Sequence, residues 1–308
     1  MGHITILGSL NYDCIAQLRE LPRPGRTVRA QSLAFRLGGG GGTQGVAAAR
    51  HGSTVSIIAA LGEDSAGLEY LGALEANGIE VEGISRHAGV ATGMTFISED
   101  ARLESLVVTG GGANDCLKPE TLDECRSFIA RANILLTHLD IPLETALAGL
   151  KLAPMMGTAT CLKPSPWRDD FPWGTCQLDF VIVNAQEARD LLGRHVLHLG
   201  DAVFVLERLQ QLNIQTLIVT RGADSTLIFS QQIGSSEVPT LVVKPLDVSG
   251  AGDCFAGTFA ARWAEEKDTR NAVRAAGIAA SLCIQRSGLQ ESMPRREDVD
   301  ALLATFAK

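Results

Sequence analysis

Residues 246–263 read LDVSGAGDCFAGTFAARW. Gly250, Ala251 and Gly252 lead into a lone acid, Asp253, and a run with helical spacing follows. Nearly bare residues let consecutive backbone amides face an anion at a helix N-terminus. The helix dipole favours a carboxylate in the first turn, so Asp253 has a plain reading as a helix-start acid. Two glycines before the acid are more than a cap requires. Amides for developing negative charge, beside a carboxylate that takes a hydroxyl proton, are what phosphoryl transfer needs.

Three other stretches carry candidate chemistry. GSLNYD puts Asn11 and Asp13 just past the first expected strand, where open α/β sheets bind ligands. One residue apart in an extended chain, they point the same way and can grip neighbouring hydroxyls; an Asx turn is the plain alternative. RLGGGGGTQGVAAAR holds five consecutive glycines, Gly38 to Gly42. Gly40, Gly42 and Gly45 satisfy GxGxxG, but the run does not follow the first strand as a dinucleotide fold requires. It reads as a glycine turn that admits a ligand to the amides of the next helix, or simply as a flexible turn. FVIVNAQEARDLLG places Asn184 at a strand end and Glu187 three residues on, the spacing of a capping box. The functional alternative makes them outer ligands of a hydrated magnesium ion. GxxxxGK[ST], HExxH and GxSxG are absent.

The elements that must position these residues alternate. Apolar runs predict strands over 4–7, 55–60, 134–137, 180–183 and 216–220. Helical patterns fall over 43–50, 66–76, 119–131, 143–152, 185–192 and 202–212. The alternation implies βαβ crossovers and an α/β fold: a doubly wound, mostly parallel sheet flanked by helices. Residues 14–37 and a hairpin over 92–109 break the pattern. They predict a small β-sheet lid, from about 12–37 and 91–110, on a single domain spanning 1–308.

Bulk properties narrow the partners. With 308 residues, 45% apolar and 20% charged, the chain can bury a sizeable core. The net charge of −8 and the lack of any basic run longer than two argue against nucleic acid and acidic membranes. No apolar stretch reaches the roughly 18 residues of a membrane span, and the N-terminus reads as a strand, not a signal peptide. Seven scattered cysteines without CxxC suit reduced thiols, and therefore a cytoplasmic protein.

DVSGAGDCFAG resembles the C-terminal signature of the ribokinase-like (PfkB) carbohydrate kinases, and LGGGGGTQGVAAAR resembles their N-terminal glycine signature. GSLNYD, VNAQE and VTRG fall in the family's order, so the resemblance spans nearly the whole chain. It implies transfer of the ATP γ-phosphate to a sugar hydroxyl, under a β lid that often mediates dimers. By that resemblance Asp253 is the base, and Gly250, Ala251 and Gly252 form the anion hole. Asn184 and Glu187 support Mg-ATP, and Thr220 and Gly222 lie along the nucleotide, with Ala276, Gly277 and Ala280 towards the adenine. Asn11, Asp13, Gly38 and Gly39 hold the sugar, with Thr43 and Asp140 beside them. Asp247 matches the family's cation-side aspartate. Potassium would draw its other oxygens from Ser249, Ile284, Ser287, Leu289 and Ser292.

Three residues depart from the ribose kinases' pattern. Gly40 stands where GGKGANQ has lysine, Thr43 where it has asparagine, and Asp140 of HLDIP where those kinases have glutamate. Each change removes reach or charge from the sugar pocket, and lost hydrogen-bond partners shift specificity strongly. A bulkier furanose, a hexose derivative or a nucleoside fits the space. A nucleoside kinase and a catalytically silent sugar- or nucleotide-binding regulator are the competing functions. The intact Gly-Ala-Gly-Asp argues against the silent one.

Overall fold

The structure, a computed structural model, describes residues 2–102, 104–196 and 198–306. Leu103 of the expected hairpin, and residues 1, 197, 307 and 308 of the expected domain, lie outside the described residues. The strands are β1 (His3–Leu7), β2 (Asn11–Gln17), β3 (Ser32–Gly38), β4 (Thr54–Gly62), β5 (Ile84–His87), β6 (Gly93–Glu99), β7 (Ser105–Gly110), β8 (Ile134–His138), β9 (Ala159–Lys163), β10 (Leu178–Asn184), β11 (Ile214–Arg221), β12 (Asp224–Ser230) and β13 (Gly234–Val238). The helices are α1 (Gly40–Arg50), α2 (Ser65–Ala76), α3 (Thr121–Glu124), α4 (Arg126–Arg131), α5 (Leu143–Met155), α6 (Ala185–Leu192), α7 (Ala202–Gln211), α8 (Ala251–Glu266), α9 (Thr269–Cys283) and α10 (Arg296–Phe306).

Nine strands form one sheet in the order β13-β12-β11-β10-β9-β8-β1-β4-β5. Every pair from β11 to β5 is parallel; β12 and β13 close one edge as antiparallel strands. Both faces are covered. Along β4, Ile57, Ala59 and Leu61 pack with α1, α2, α8 and α9, while Ile58 and Ala60 pack with the core under α5, α6 and α7. A strand buried on both faces needs no polar alternation, which is why its run is continuously apolar.

β3, β2, β6 and β7 form a separate four-stranded sheet. The expected hairpin is β6–β7, with Glu99 opposite Ser105, and β2 pairs with β6 in parallel. Asn11 and Asp13 therefore do not lie in a turn after β1: both are buried strand residues of β2. The helix expected from 43 starts at Gly40, and the one expected over 119–131 is broken into α3 and α4.

Parallel order fixes where a site can form. The carboxyl ends of β1, β8, β9, β10 and β11 open on one edge, the crevice used by open α/β sheets. The N-termini of α1 and α8 point into it. α1 begins after Gly39, whose φ of 78° is left-handed. A Cβ there would lie 2.7 Å from Asn11 N and 2.8 Å from Ser9 O, so only glycine passes the chain this close to β2.

Candidate active site

Gly250, also left-handed at φ 73°, lets the chain turn into α8 and sets Asp253 in its first turn. α1 and α8 pack side by side, because Gly257 brings α8 against the Gln44 carbonyl. Gln44 thereby donates its Nε2 to Asp253 Oδ1 at 2.9 Å. Lys163, the last residue of β9, brings Nζ to 3.4 Å from the same oxygen. Neither partner was among the expected site residues. Lys163 ends a strand too short and mixed to be read from ATCLK, and Gln44 sits among glycines that gave it no role of its own.

A cavity of about 330 Å³ opens beside Asp253. Gly250, Ala251 and Gly252 line it together with Asn184, Glu187, Lys163 and Thr220. A second cavity of about 330 Å³ adjoins it through Thr220, Ala251 and Gly252, and its lining is mostly apolar: Leu241, Val243, Pro245, Phe255 and Ile284. Gly222, Gly277 and Ala280 line this second cavity, and a Cβ at Gly277 would meet only open space. Ala276 must be corrected. It is fully buried in the core between α8 and the sheet, because residues 277, 280, 281 and 284 take the cavity-facing side of the helix.

Asn184 and Glu187 form the capping box that their spacing predicts. The Asn184 side chain accepts the amides of Gln186 and Glu187 at 2.9 Å, and Glu187 accepts the Asn184 amide at 2.8 Å. Both also line the polar cavity, so capping and ligand contact coexist. Burial pushes the Glu187 carboxyl up, against the Asn184 amide and the Lys163 charge, which hold it down. A half-buried carboxylate with one oxygen committed to its own helix suits a hydrated divalent cation reached through water. Among the described residues, no cluster of three or more His, Cys, Asp or Glu side chains forms a direct metal cage.

The polar residues around Asp13 meet below the small sheet. Asn11 donates to Thr95 Oγ1 at 3.3 Å and to Asp140 Oδ2 at 3.2 Å, and accepts from Asn114 at 2.7 Å. Asp140 also takes the Ser9 hydroxyl at 3.0 Å. The Asp13 carboxylate lies over Gly38, where any Cβ would overlap it. Its Oδ1 is buried without a hydrogen-bond partner. Burial pushes the Asp13 carboxyl up to about 7; a Thr95 hydrogen bond lowers it and Asp140 raises it further. An orphaned buried acceptor against a bare glycine has hydrogen-bonding capacity left for a ligand hydroxyl. Gly40 is flanked by the buried His138 ring, within 3.0 Å of any Cβ there. Thr43 turns its hydroxyl back to the Gly39 carbonyl at 2.9 Å. Tyr70 of α2, fully buried, donates to the Gly38 carbonyl and accepts from Gln290 at 2.7 Å.

The loop named for a monovalent cation lies behind the amides of residues 250–252. Asp247 accepts the amides of Ser249 at 2.9 Å and Gly288 at 3.3 Å. The Ile284 carbonyl already takes the amides of Leu246 and Asp247, and the Leu289 carbonyl takes the Ser292 hydroxyl at 2.8 Å. Ser292 is buried beside Cys283. Ser249 and Ser287 are exposed. Asp247 thus ties the 247–249 turn to Gly288, and the Ile284 and Leu289 carbonyls are already engaged within the protein.

A parallel crevice with an amide-rich helix start, a carboxylate and paired polar and apolar cavities is a site for moving a phosphoryl group from a nucleotide. Comparison with known proteins gives the same class. The model of the pfkB family carbohydrate kinases matches residues 1–296. A ribokinase of Haemophilus influenzae is 30% identical over 295 residues, covering 96% of both chains. A deoxyribokinase of Salmonella typhi is 26% identical over 98% of both. The crystal structure of a ribokinase from Cryptococcus neoformans in complex with ADP superposes with a TM-score of 0.84 at 28% identity, covering 98% of this chain and 100% of that one. The chain belongs to the pfkB family of carbohydrate kinases.

Proposed function

We infer that this chain is an ATP-dependent sugar kinase, moving the γ-phosphoryl group of ATP to a hydroxyl of a ribose-like sugar. One observation carries the reading: Asp253 stands at the start of α8, where the amides of residues 250–252 open on the polar cavity, and the buried Tyr70 and His138 feel its charge together with those of Asp13 and Asp140. The nucleotide base and ribose take the apolar cavity and the phosphates the polar one. The sugar lies over Gly38 and Gly39, with hydroxyls on Asp13 and Asp140. Asp253 orients the attacking hydroxyl and takes its proton, and the α8 amides hold the negative charge that develops. Mg2+, reached from Glu187 and Asn184 through water, would offset phosphate charge. K+ beside Asp247 would hold the loop that carries the amides.

Ribose and deoxyribose, the sugars in the relatives' names, are the first to test, followed by bulkier furanoses, hexose derivatives and nucleosides. ADP release coupled to a chromogenic reaction, run over that panel with Mg-ATP, decides it. Turnover of one sugar is expected. A panel in which a sugar binds and none turns over would support a regulator instead.

The small sheet is the lid in this reading, closing over the sugar so that ATP is not spent on water. Its outer face carries a row of paired residues, Phe35, Cys14, Phe96 and Val108. Phe35, Phe96 and Val108 are 52%, 51% and 65% exposed, an apolar strip that a second copy would cover in a homodimer.

A further inference from the structure

We propose that Lys163 is a catalytic residue, whose ammonium contacts the phosphoryl group in transfer while it holds the Asp253 carboxylate. The proposal rests on the kinase reading above. β9 lies between β8 and β10, so its last residue reaches the crevice between the sugar side and the nucleotide side. The Lys163 side chain is only 15% exposed, and its charge is largely withdrawn from water. A Cβ on Gly252 would stand 3.1 Å from Lys163 Cε, so a bare residue at the helix start is what lets the ammonium lie against the amide cradle. Among the described residues, Lys163 is the only cation lining the polar cavity, which also holds the carboxyl groups of Glu187 and Asp253. A cavity with two acids and no cation would repel a triphosphate, and Lys163 offsets both, since its charge also reaches Glu187.

The chemistry has a place for it. The acceptor O–H breaks and its proton passes to Asp253. The acceptor oxygen bonds to the γ-phosphorus. The bond from the γ-phosphorus to the bridging oxygen breaks, and its electron pair stays on the β-phosphate of ADP. Lys163 gives and takes no proton. Its ammonium forms an ion pair with Asp253 Oδ1, and its N–H donors meet the phosphoryl oxygens where charge gathers. Gln44 and Lys163 both hold Oδ1, and Oδ2 is left as the proton acceptor.

Lys163→Met keeps the length of the stem and removes the charge; Lys163→Arg keeps the charge. At saturating ATP and sugar, Lys163→Met should lose about 10²–10³ in kcat, the loss seen when a charge-stabilising donor is removed from an active site. KM for the sugar should stay within about threefold. Lys163→Arg should fall between, since a planar fork replaces a compact charge. If Lys163 acted only by tuning Asp253, Lys163→Met would regain the wild-type plateau at higher pH; a plateau lowered at every pH is expected. Calorimetry with ATP and ADP gives a readout without a sugar: wild type should prefer ATP, and Lys163→Met should lose that preference. Thermal melts confirm folding, and Lys163→Gln replaces the methionine variant if it melts early. A variant that keeps more than half of kcat, a recovered plateau, or a wild type that binds both nucleotides equally would overturn the assignment. A wild type that turns over no sugar, yet loses its ATP preference in Lys163→Met, would overturn the sugar-kinase reading and leave Lys163 on the phosphate.

Discussion

Asp13 offers a test in which stability and binding move in opposite directions. Its carboxyl rises from 3.8 to about 7 on folding, chiefly because burial penalises the charge. The folded value lies above the unfolded one, so the penalty is absent below about pH 4, grows as pH rises to about 7, and is constant above that. Three pH units of difference correspond to roughly 4 kcal/mol at full extent. A sugar hydroxyl donating to the carboxylate binds the charged form more tightly than the neutral one. With the folded value near 7, few unliganded molecules carry that charge at pH 5.5 and most carry it at pH 8, so sugar affinity should rise severalfold, up to about thirtyfold, across the interval. Direct calorimetric titration with the sugar at a series of pH values reads this without involving the chemical step. Asp13→Asn removes the buried charge. It should melt several degrees above wild type at pH 8, with little difference near pH 4.5, and should lose both the sugar affinity and its pH dependence. A wild-type affinity that is flat from pH 5.5 to 8, or a variant that melts below wild type at pH 8, would refute the assignment of Asp13 as a strained sugar ligand.

Asp253→Asn should keep its fold and its ATP binding while losing at least about a hundredfold in kcat, because an amide suits the helix start but takes no proton; steady-state ADP release measures it. Tyr70→Phe strands the Gly38 carbonyl and the Gln290 amide in the core, at a cost of about 1–3 kcal/mol, and should raise the sugar KM more than the ATP KM. Replacing sodium by potassium at matched ionic strength should raise the rate; equal rates would remove the cation from the loop around Asp247. Sedimentation at micromolar concentration should show a dimer, and Val108→Glu, which puts a charge in the apolar strip, should shift it to monomer.

Local signals were enough for the parts of this protein that depend on near neighbours. Continuous apolar runs separated by helical patterns imply a parallel sheet covered on both faces. Asn184 and Glu187 declare a helix start because the capping box is closed within four residues. Gly250 to Asp253 is legible for the same reason: amides, left-handed turn and acid belong to a single helix terminus. Even the small sheet showed itself, as two segments that break the alternation.

What the local pattern could not supply were contacts made across the sheet. Gln44 and Lys163 reach Asp253 only because α1 packs on α8 and β9 is seated between β8 and β10. Tyr70 bonds Gly38 from a helix that the sequence offers only as a helical pattern over 66–76. β9, β12 and β13 went unread because mixed sequences such as ATCLK, DSTLIFS and GSSEV owe their strand form to partners already in place. The glycine run is clearest. In sequence it reads as a turn that admits a ligand to the next helix's amides or as a flexible turn, and in the fold it starts α1, close against the β1–β2 connection, His138 and Tyr70. Propensity and spacing act over a few residues, whereas the environment that lifts Asp13 to about 7 is made by β2, β6 and the β8 end together. That environment exists only once the chain has folded, because burial is a property of the packed molecule and of no single segment.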